Sequence, residues 1–301
     1  MCIQVQQITY IHPDKEVLFR NLSFTVGRGR QLALIGNNGC GKSTLLQIMA
    51  GKLQPSSGNV LRPDDLYYVP QHFGQYDEMS IAQALGIDRK QKALHEILNG
   101  NASIDHFNIL DDDWNIEEKA LAALNGWGLG NRSLSESMHT LSGGEKTRVF
   151  LAGLELQEPS AVLMDEPTNG LDIPGKSQFR KFIASGMTDD KTILISTHQV
   201  RDIDKVLDHV LIMDNSRVLL NESTMSICDK LFFTESENRE LLQSSLFSTP
   251  SIQGNFLLLP NESGEDSEIN LELLFNATLA VPERISALFH LYCSLLKAER
   301  S

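Results

Sequence analysis

The chain has 301 residues, and at ~150 residues per domain that length suggests about two domains and at least one sizeable core. Its 41% hydrophobic and 22% charged residues, with a mean hydropathy of -0.17, exclude a disordered or collagen-like chain. Lys+Arg 26 against Asp+Glu 39 leaves a formal net charge of -13, which excludes coating of nucleic-acid phosphates by the chain as a whole but not a local basic patch. The cysteines, Cys2, Cys40, Cys228 and Cys293, form no C-x-x-C pair, so neither a disulfide framework nor a zinc site is expected. No apolar run approaches the ~18 to 20 residues of a membrane-spanning helix, and the first residues lack a basic stretch followed by an apolar one. The expectation is a cytoplasmic chain.

Ile3 to Tyr10 and Leu22 to Val26 alternate as strands do, and the apolar run Gln31 to Ile35 reads as a buried parallel strand. A glycine-rich loop follows, Gly36-Asn37-Asn38-Gly39-Cys40-Gly41-Lys42-Ser43-Thr44. Leu45, Leu46, Ile48 and Met49 then recur at helical spacing up to Gly51. From Ser80 to about Gly126 the period is helical, with Asn115 and Glu118 spaced for a capping box and Asp111 to Asp113 as a solvated helix entry. Two apolar strands, Ala161 to Met164 and Thr192 to Ile195, are separated by a helix around Gln178 to Ala184. Together these predict an α/β fold with a mostly parallel sheet and an N-terminal antiparallel β part. Residues 222–301 hold 12 acidic and 5 basic residues, about half of the net negative charge. Strand-like runs around Leu246 and at Phe256 to Leu259 flank a Pro250/Gly254 turn. Amphipathic helices at Ile269 to Leu279 and Pro282 to Leu296 follow, completing a small α+β appendage.

Gly36 to Ser43 fits G-x-x-x-x-G-K-[ST] between a strand and a helix, the context in which backbone N–H groups and a helix dipole cradle phosphates. Lys42 then reaches the β and γ phosphates and Ser43 holds Mg2+. Ala161 to Met164 ends in Asp165-Glu166, where Asp165 suits Mg2+ through water and Glu166 suits a general base acting on water. Leu141-Ser142-Gly143-Gly144-Glu145 opens an apolar-periodic helix, Val149 to Leu156. Its backbone N–H groups and hydroxyl form a second expected anion site.

At this point residues 1 to about 220 resemble the ATP-binding-cassette (ABC) ATPases, whose signature reads L-S-G-G-Q. The resemblance includes Pro167-Thr-Asn-Gly-Leu-Asp172, Ser196-Thr-His198 and Gln71 in Tyr68-Val-Pro-Gln71. It implies a P-loop fold with a helical insert and a head-to-tail dimer. In that dimer, ATP-Mg2+ on one phosphate loop is covered by Ser142, Gly143 and Gly144 of a second copy. It further implies that His198 contacts the γ-phosphate, that Gln71 senses Mg2+ and links the site to the insert, and that Asp172 belongs to the contact between cassettes. An aromatic side chain stacks on adenine in the family, and Tyr10, with His12 close behind, is the candidate. Cys40 is expected to matter for its backbone, although its thiol is a point open to alkylation.

Glu145 in place of glutamine and the long interval from Gln71 to Leu141 are similar to the soluble ABC-F ATPases that act on ribosomes. Those carry two cassettes, however, and commonly read T-N-H-L-D and S-H-D where this chain has Thr168-Asn-Gly-Leu-Asp172 and Ser196-Thr-His198-Gln199. From Asn169 onward, including Ser196 to Asp202, the chain resembles ATP-binding subunits of bacterial ABC exporters. The favoured expectation is therefore an export-coupled Mg-dependent ATPase. It comprises a nucleotide-binding domain over 1–221, with the insert at about 73–140, and an acidic appendage over 222–301. Its expected partners are a second copy of itself and membrane permease subunits, on the inner face of the cell membrane, with no direct nucleic acid. A ribosome-acting ATPase is the alternative.

Overall fold

The computed structural model describes residues 2–186, 191–198 and 207–289. In chain order, β1 (Ile3–Ile11), β2 (Val17–Val26) and β3 (Gln31–Gly36) precede α1 (Lys42–Met49), β4 (Ser57–Leu61) and β5 (Leu66–Val69). The helices α2 (Ile81–Ala84), α3 (Asp88–Leu98), α4 (Ile104–Leu110), α5 (Ile116–Gly126) and α6 (Gly143–Gln157) come next. They are followed by β6 (Ala161–Asp165), α7 (Ile173–Gly186), β7 (Thr192–Thr197), β8 (His209–Asp214) and β9 (Arg217–Ser223). The C-terminal part holds α8 (Thr224–Lys230), β10 (Leu231–Ser236), α9 (Arg239–Ser244), β11 (Phe247–Ser251), β12 (Gly254–Pro260) and α10 (Leu271–Ala280).

The chain divides into two compact units, the first made of Met1–Asp64, Leu163–Asp165 and Met187–Ser301, the second of Asp65–Val162 and Glu166–Gly186. In the first unit β3 is flanked in parallel by β7 and β8, with Leu32 level with Leu194 and His209. β9 adds antiparallel beyond β8, and the end of β6 lies beyond β7. The strands β3, β7 and β8 are buried along nearly their whole length, on both of their faces, with apolar residues at their centres. A separate antiparallel sheet, β2-β1-β4, alternates buried and exposed residues, the pattern of a sheet wetted on one face. The appendage sheet, in order β10-β12-β11, packs with α10, which also touches β8 and β9. Its expected turn is the β11–β12 hairpin, closing where Ser251 pairs with Gly254. Residues 282–289 are helical, as the spacing from Pro282 predicts; the rest of that expected helix, to Leu296, lies outside the described residues.

In the second unit β5 lies beside the start of β6, and the helices α2 to α6 form the insert with its supporting helix. Five strands were not anticipated from the residues: β4, β5, β8, β9 and β10. β2 also begins five residues ahead of the expected Leu22, and α7 starts ahead of Gln178. The capping box expected at Asn115 does not form. Asn115 sits at φ -99, ψ 19, outside the extended region an N-cap needs, and its side chain makes no capping bond. Nor is Asp113 merely solvated, since it receives Lys119 Nζ at 2.6 Å and Lys90 Nζ at 3.2 Å, which hold its carboxyl below the usual carboxylate range.

Candidate functional site

In the first unit the loop between β3 and α1 carries the residues expected to hold phosphates. Gly41, the N-cap of α1, stands at φ 100, in the left-handed region, and no side chain caps the helix. A Cβ there would also press on Leu18 and Phe19 at about 3 Å. The first turn of α1 contains no acidic residue, so its positive end is met by no carboxylate of its own first turn. Asn37, Asn38 and Gly39 are exposed, Cys40, Ser43 and Thr44 half-buried, and Gly36 and Lys42 buried. Lys42 Nζ donates to the carbonyls of Gly36 (2.8 Å) and Asn37 (3.2 Å), which holds the ammonium across the loop. Asn37 Nδ2 in turn donates to Asp214 Oδ1 at the end of β8, 3.0 Å away. Burial pushes the Cys40 thiol up despite the opposing pull of Lys42, which disfavours its thiolate form.

At the end of β6, Asp165 is buried, and its Oδ1 accepts from Ser43 Oγ (3.1 Å) and Ser196 Oγ (2.6 Å). Ser43 and Asp165 stand 122 residues apart in sequence, so only the parallel sheet brings them together. A serine hydroxyl beside one carboxylate is the hard-oxygen set that suits Mg2+, which takes few protein ligands and completes its shell with phosphates and water. His198 directly follows β7 and is exposed, while Gln199 to Asp202 lie outside the described residues. Tyr10 meets His12 edge-on at 5.3 Å and Phe19 at 6.2 Å between ring centroids.

In the second unit Gln71 follows β5 and is half-buried. Glu166 is buried, with its backbone at φ 49, a left-handed conformation uncommon outside glycine and concentrated at functional sites. Its carbonyl accepts from the N–H of Asn169 at 2.9 Å, turning the chain toward Gly170 and Asp172. Asp172 accepts from Gly175 N–H (2.9 Å) and Arg148 Nη2 (2.5 Å), so its carboxylate caps α7 and holds α6; both bonds keep its carboxyl low. A Cβ on Gly144 would lie 2.5 Å from the Gly170 carbonyl oxygen, so only glycine lets these segments meet.

The start of α6, the second expected anion site, carries a cap of its own. Ser142 is the N-cap, and it forms a capping box with Glu145. Ser142 N–H and Oγ–H both donate to Glu145 Oε2, at 2.9 and 2.8 Å, and Ser142 Oγ accepts from Glu145 N–H at 3.3 Å. Arg132 Nη2, the largest cause, and Ser142 N–H pull the Glu145 carboxyl down to about 2. Residue spacing did not reveal Arg132 or Asp214, because neither stands in a motif of its own, and Ser196 entered only as the first residue of Ser196-Thr-His198, with no role at Asp165.

Residues 19–169 match the family model described as ABC transporter, which covers half of the chain. An energy-coupling factor transporter ATP-binding protein EcfA2 of Methanospirillum hungatei is 29% identical over 220 residues, 72% of this chain and 54% of that protein. The chain thus spans about half the length of that relative, and 76% of an EcfA2 of Clostridium perfringens that is 29% identical over 222 residues. Among solved structures, cbiO1 from Clostridium perfringens, part of the ABC transporter complex cbiONQ, is 28% identical with a TM-score of 0.53, covering 73% of this chain and 88% of that one. The phosphate loop, the Ser43–Asp165 pair and the serine-glycine helix start thus fall in a chain that belongs to the ABC transporter family of ATP-binding proteins.

Proposed function

We propose that this chain is a Mg-dependent ATPase that works as a head-to-tail pair of cassettes and drives transport through separate membrane permease subunits. The observation that carries the reading is the buried Asp165 carboxylate receiving the Ser43 hydroxyl at 3.1 Å beside the uncapped start of α1. In this reading Gly36 to Thr44 wrap the triphosphate and Lys42 neutralises it. Ser43 and Asp165, with Gln71, hold Mg2+, which when bound supplies charge neutralisation of the phosphates. Glu166 orients and deprotonates water, His198 contacts the γ-phosphate, and Tyr10 stacks on adenine. Ser142, Gly143 and Gly144 serve the nucleotide of the second copy, and Asp172 lies at the contact between copies.

Residues 1–221 form the nucleotide-binding domain in this reading, and 222–301 an appendage serving dimer contact or regulation. The cbiO1 homologue belongs to a transporter complex, and among the described residues no helix is long and apolar enough to cross a membrane. In this reading the chain attaches to the inner face of the membrane through a permease. Export, expected from the residues after Asn169, finds no counterpart in the names of the energy-coupling factor relatives, so the proposal concerns transport without a direction.

The test is a Glu166→Gln chain incubated with ATP-Mg2+, sized, and used for capture from detergent-solubilised source cells. A dimer bound to a polytopic membrane protein is expected. A monomer under all ATP concentrations overturns the pairing, and ribosomal proteins without a permease overturn transport in favour of the ribosome-acting alternative.

A further inference from the structure

Glu145 stands where the family signature carries glutamine, and the exchange alters what the start of α6 can offer. An amide can donate as well as accept, whereas an ionised carboxylate only accepts. Ser142 therefore supplies the protons, and both its N–H and its hydroxyl are spent on Glu145 Oε2. The other oxygen, Oε1, receives Arg132 Nη2 at 2.5 Å, while Arg132 Nη1 donates to Glu136 Oε1 at 2.8 Å. Glu136 Oε1 also accepts from Thr140 Oγ1 at 2.8 Å.

The nearby cations of α6 are committed elsewhere: Lys146 to Asp77 and Arg148 to Asp172, each at 2.5 Å. One guanidinium thus balances two carboxylates, and its Nε is buried without a hydrogen-bond partner. The first turn of α6 already holds its own anion, so an approaching phosphate competes with Glu145 for both the helix dipole and the Ser142 proton.

We infer that Glu145, held by Arg132, is a positioning residue that keeps the Ser142 hydroxyl turned inward and opposes docking of a second copy's triphosphate at the start of α6 until that hydroxyl is released. The inference rests on the proposed pairing of cassettes. Arg132 acts in the opposite sense, by neutralising the carboxylate that the phosphate must approach.

The test measures ATP-driven dimerisation by sedimentation in a Glu166→Gln background, with ATP affinity of the dilute chain and thermal melting followed in parallel. Adding Glu145→Gln is expected to tighten dimerisation about fivefold to tenfold, because a charge-assisted bond to Ser142 is replaced by a weaker neutral one. ATP affinity of the dilute chain stays unchanged. Arg132→Gln is expected to weaken dimerisation by a similar factor, and Glu145→Gln combined with it restores the tighter state. A purely structural cap leaves dimerisation unchanged or weaker in Glu145→Gln, whatever the melting temperature does, and that result overturns the inference. If the Glu166→Gln parent itself fails to dimerise with ATP, the pairing fails and takes this device with it. If the parent dimerises and Glu145→Gln does not tighten it, only the device fails.

Discussion

The starts of α1 and α6 are both glycine-rich helix N-termini, yet they meet charge in opposite ways. At α1 the N-cap is Gly41, no side chain caps the helix, and the first turn contains no acid. At α6 Ser142 and Glu145 cap each other, and Glu145 brings a carboxylate into the first turn. A helix end leaves N–H groups that must be satisfied by the chain, by water or by a ligand. The first start has no side-chain cap of its own, and under the proposed function an incoming phosphate takes that place, whereas the second is capped by its own residues. A glycine-rich helix start therefore marks a potential anion site, and the capping side chains decide whether it is open.

The largest expected consequence of breaking the open start is on nucleotide binding. Replacing Lys42 with alanine removes the cation laid over Gly36 and Asn37, and ATP affinity by titration calorimetry should fall about 100-fold. Unchanged affinity would argue against α1 as the phosphate site. At the closed start, Gly144→Ala forces a Cβ against the Gly170 carbonyl and should cost ~1–3 kcal/mol in denaturant unfolding.

Removing the cap itself, with Ser142→Ala, should cost ~1 kcal/mol in the same measurement. Acid provides a smaller and signed test. The folded-state pKa of Glu145 is depressed to about 2 from the 4.5 of an ordinary glutamate, so its stabilisation is present above 4.5 and is lost as pH falls toward 2. Because the pair is solvent-screened, the gap in stability between the parent and Glu145→Gln should be only ~0.5–1 kcal/mol at pH 6. Melting curves of the two proteins should converge across that acid window, and a constant gap would count against the ion pair as its source. The smallest effect is expected at Asn115, which caps nothing: Asn115→Ala should stay within ~0.5 kcal/mol of the parent.

Much of this was legible from residue order. The apolar runs of β3, β6 and β7, the loop from Gly36 to Ser43 and the carboxylates after Met164 are local patterns, and each appears where spacing predicts it. Asn115 shows the limit of spacing. Asn and Glu three residues apart are necessary for a capping box, but the box also needs an extended backbone at the cap, which Asn115 lacks and Ser80 and Ser142 have. β8 and β9 escaped notice because their short runs carry no turn chemistry or motif as distinctive as the phosphate loop, although β8 is the parallel neighbour of β3.

The sequence by itself determined the alternation of strand and helix, the phosphate loop, the serine-glycine helix start and the family, because these act through neighbours a few residues apart. Only the tertiary structure decided which groups answer one another. Asp214 reaches Asn37 across 177 positions, Ser43 reaches Asp165 across 122, and Arg132 reaches Glu145 across 13. Such pairs follow from strand order and helix packing rather than from local propensity. The cap at the start of α6 is itself a local contact of Ser142 with Glu145, so what folding alone added there is Arg132 on Glu145, and at α1 the Asp165 carboxylate on Ser43, because such partners meet only once distant segments have packed.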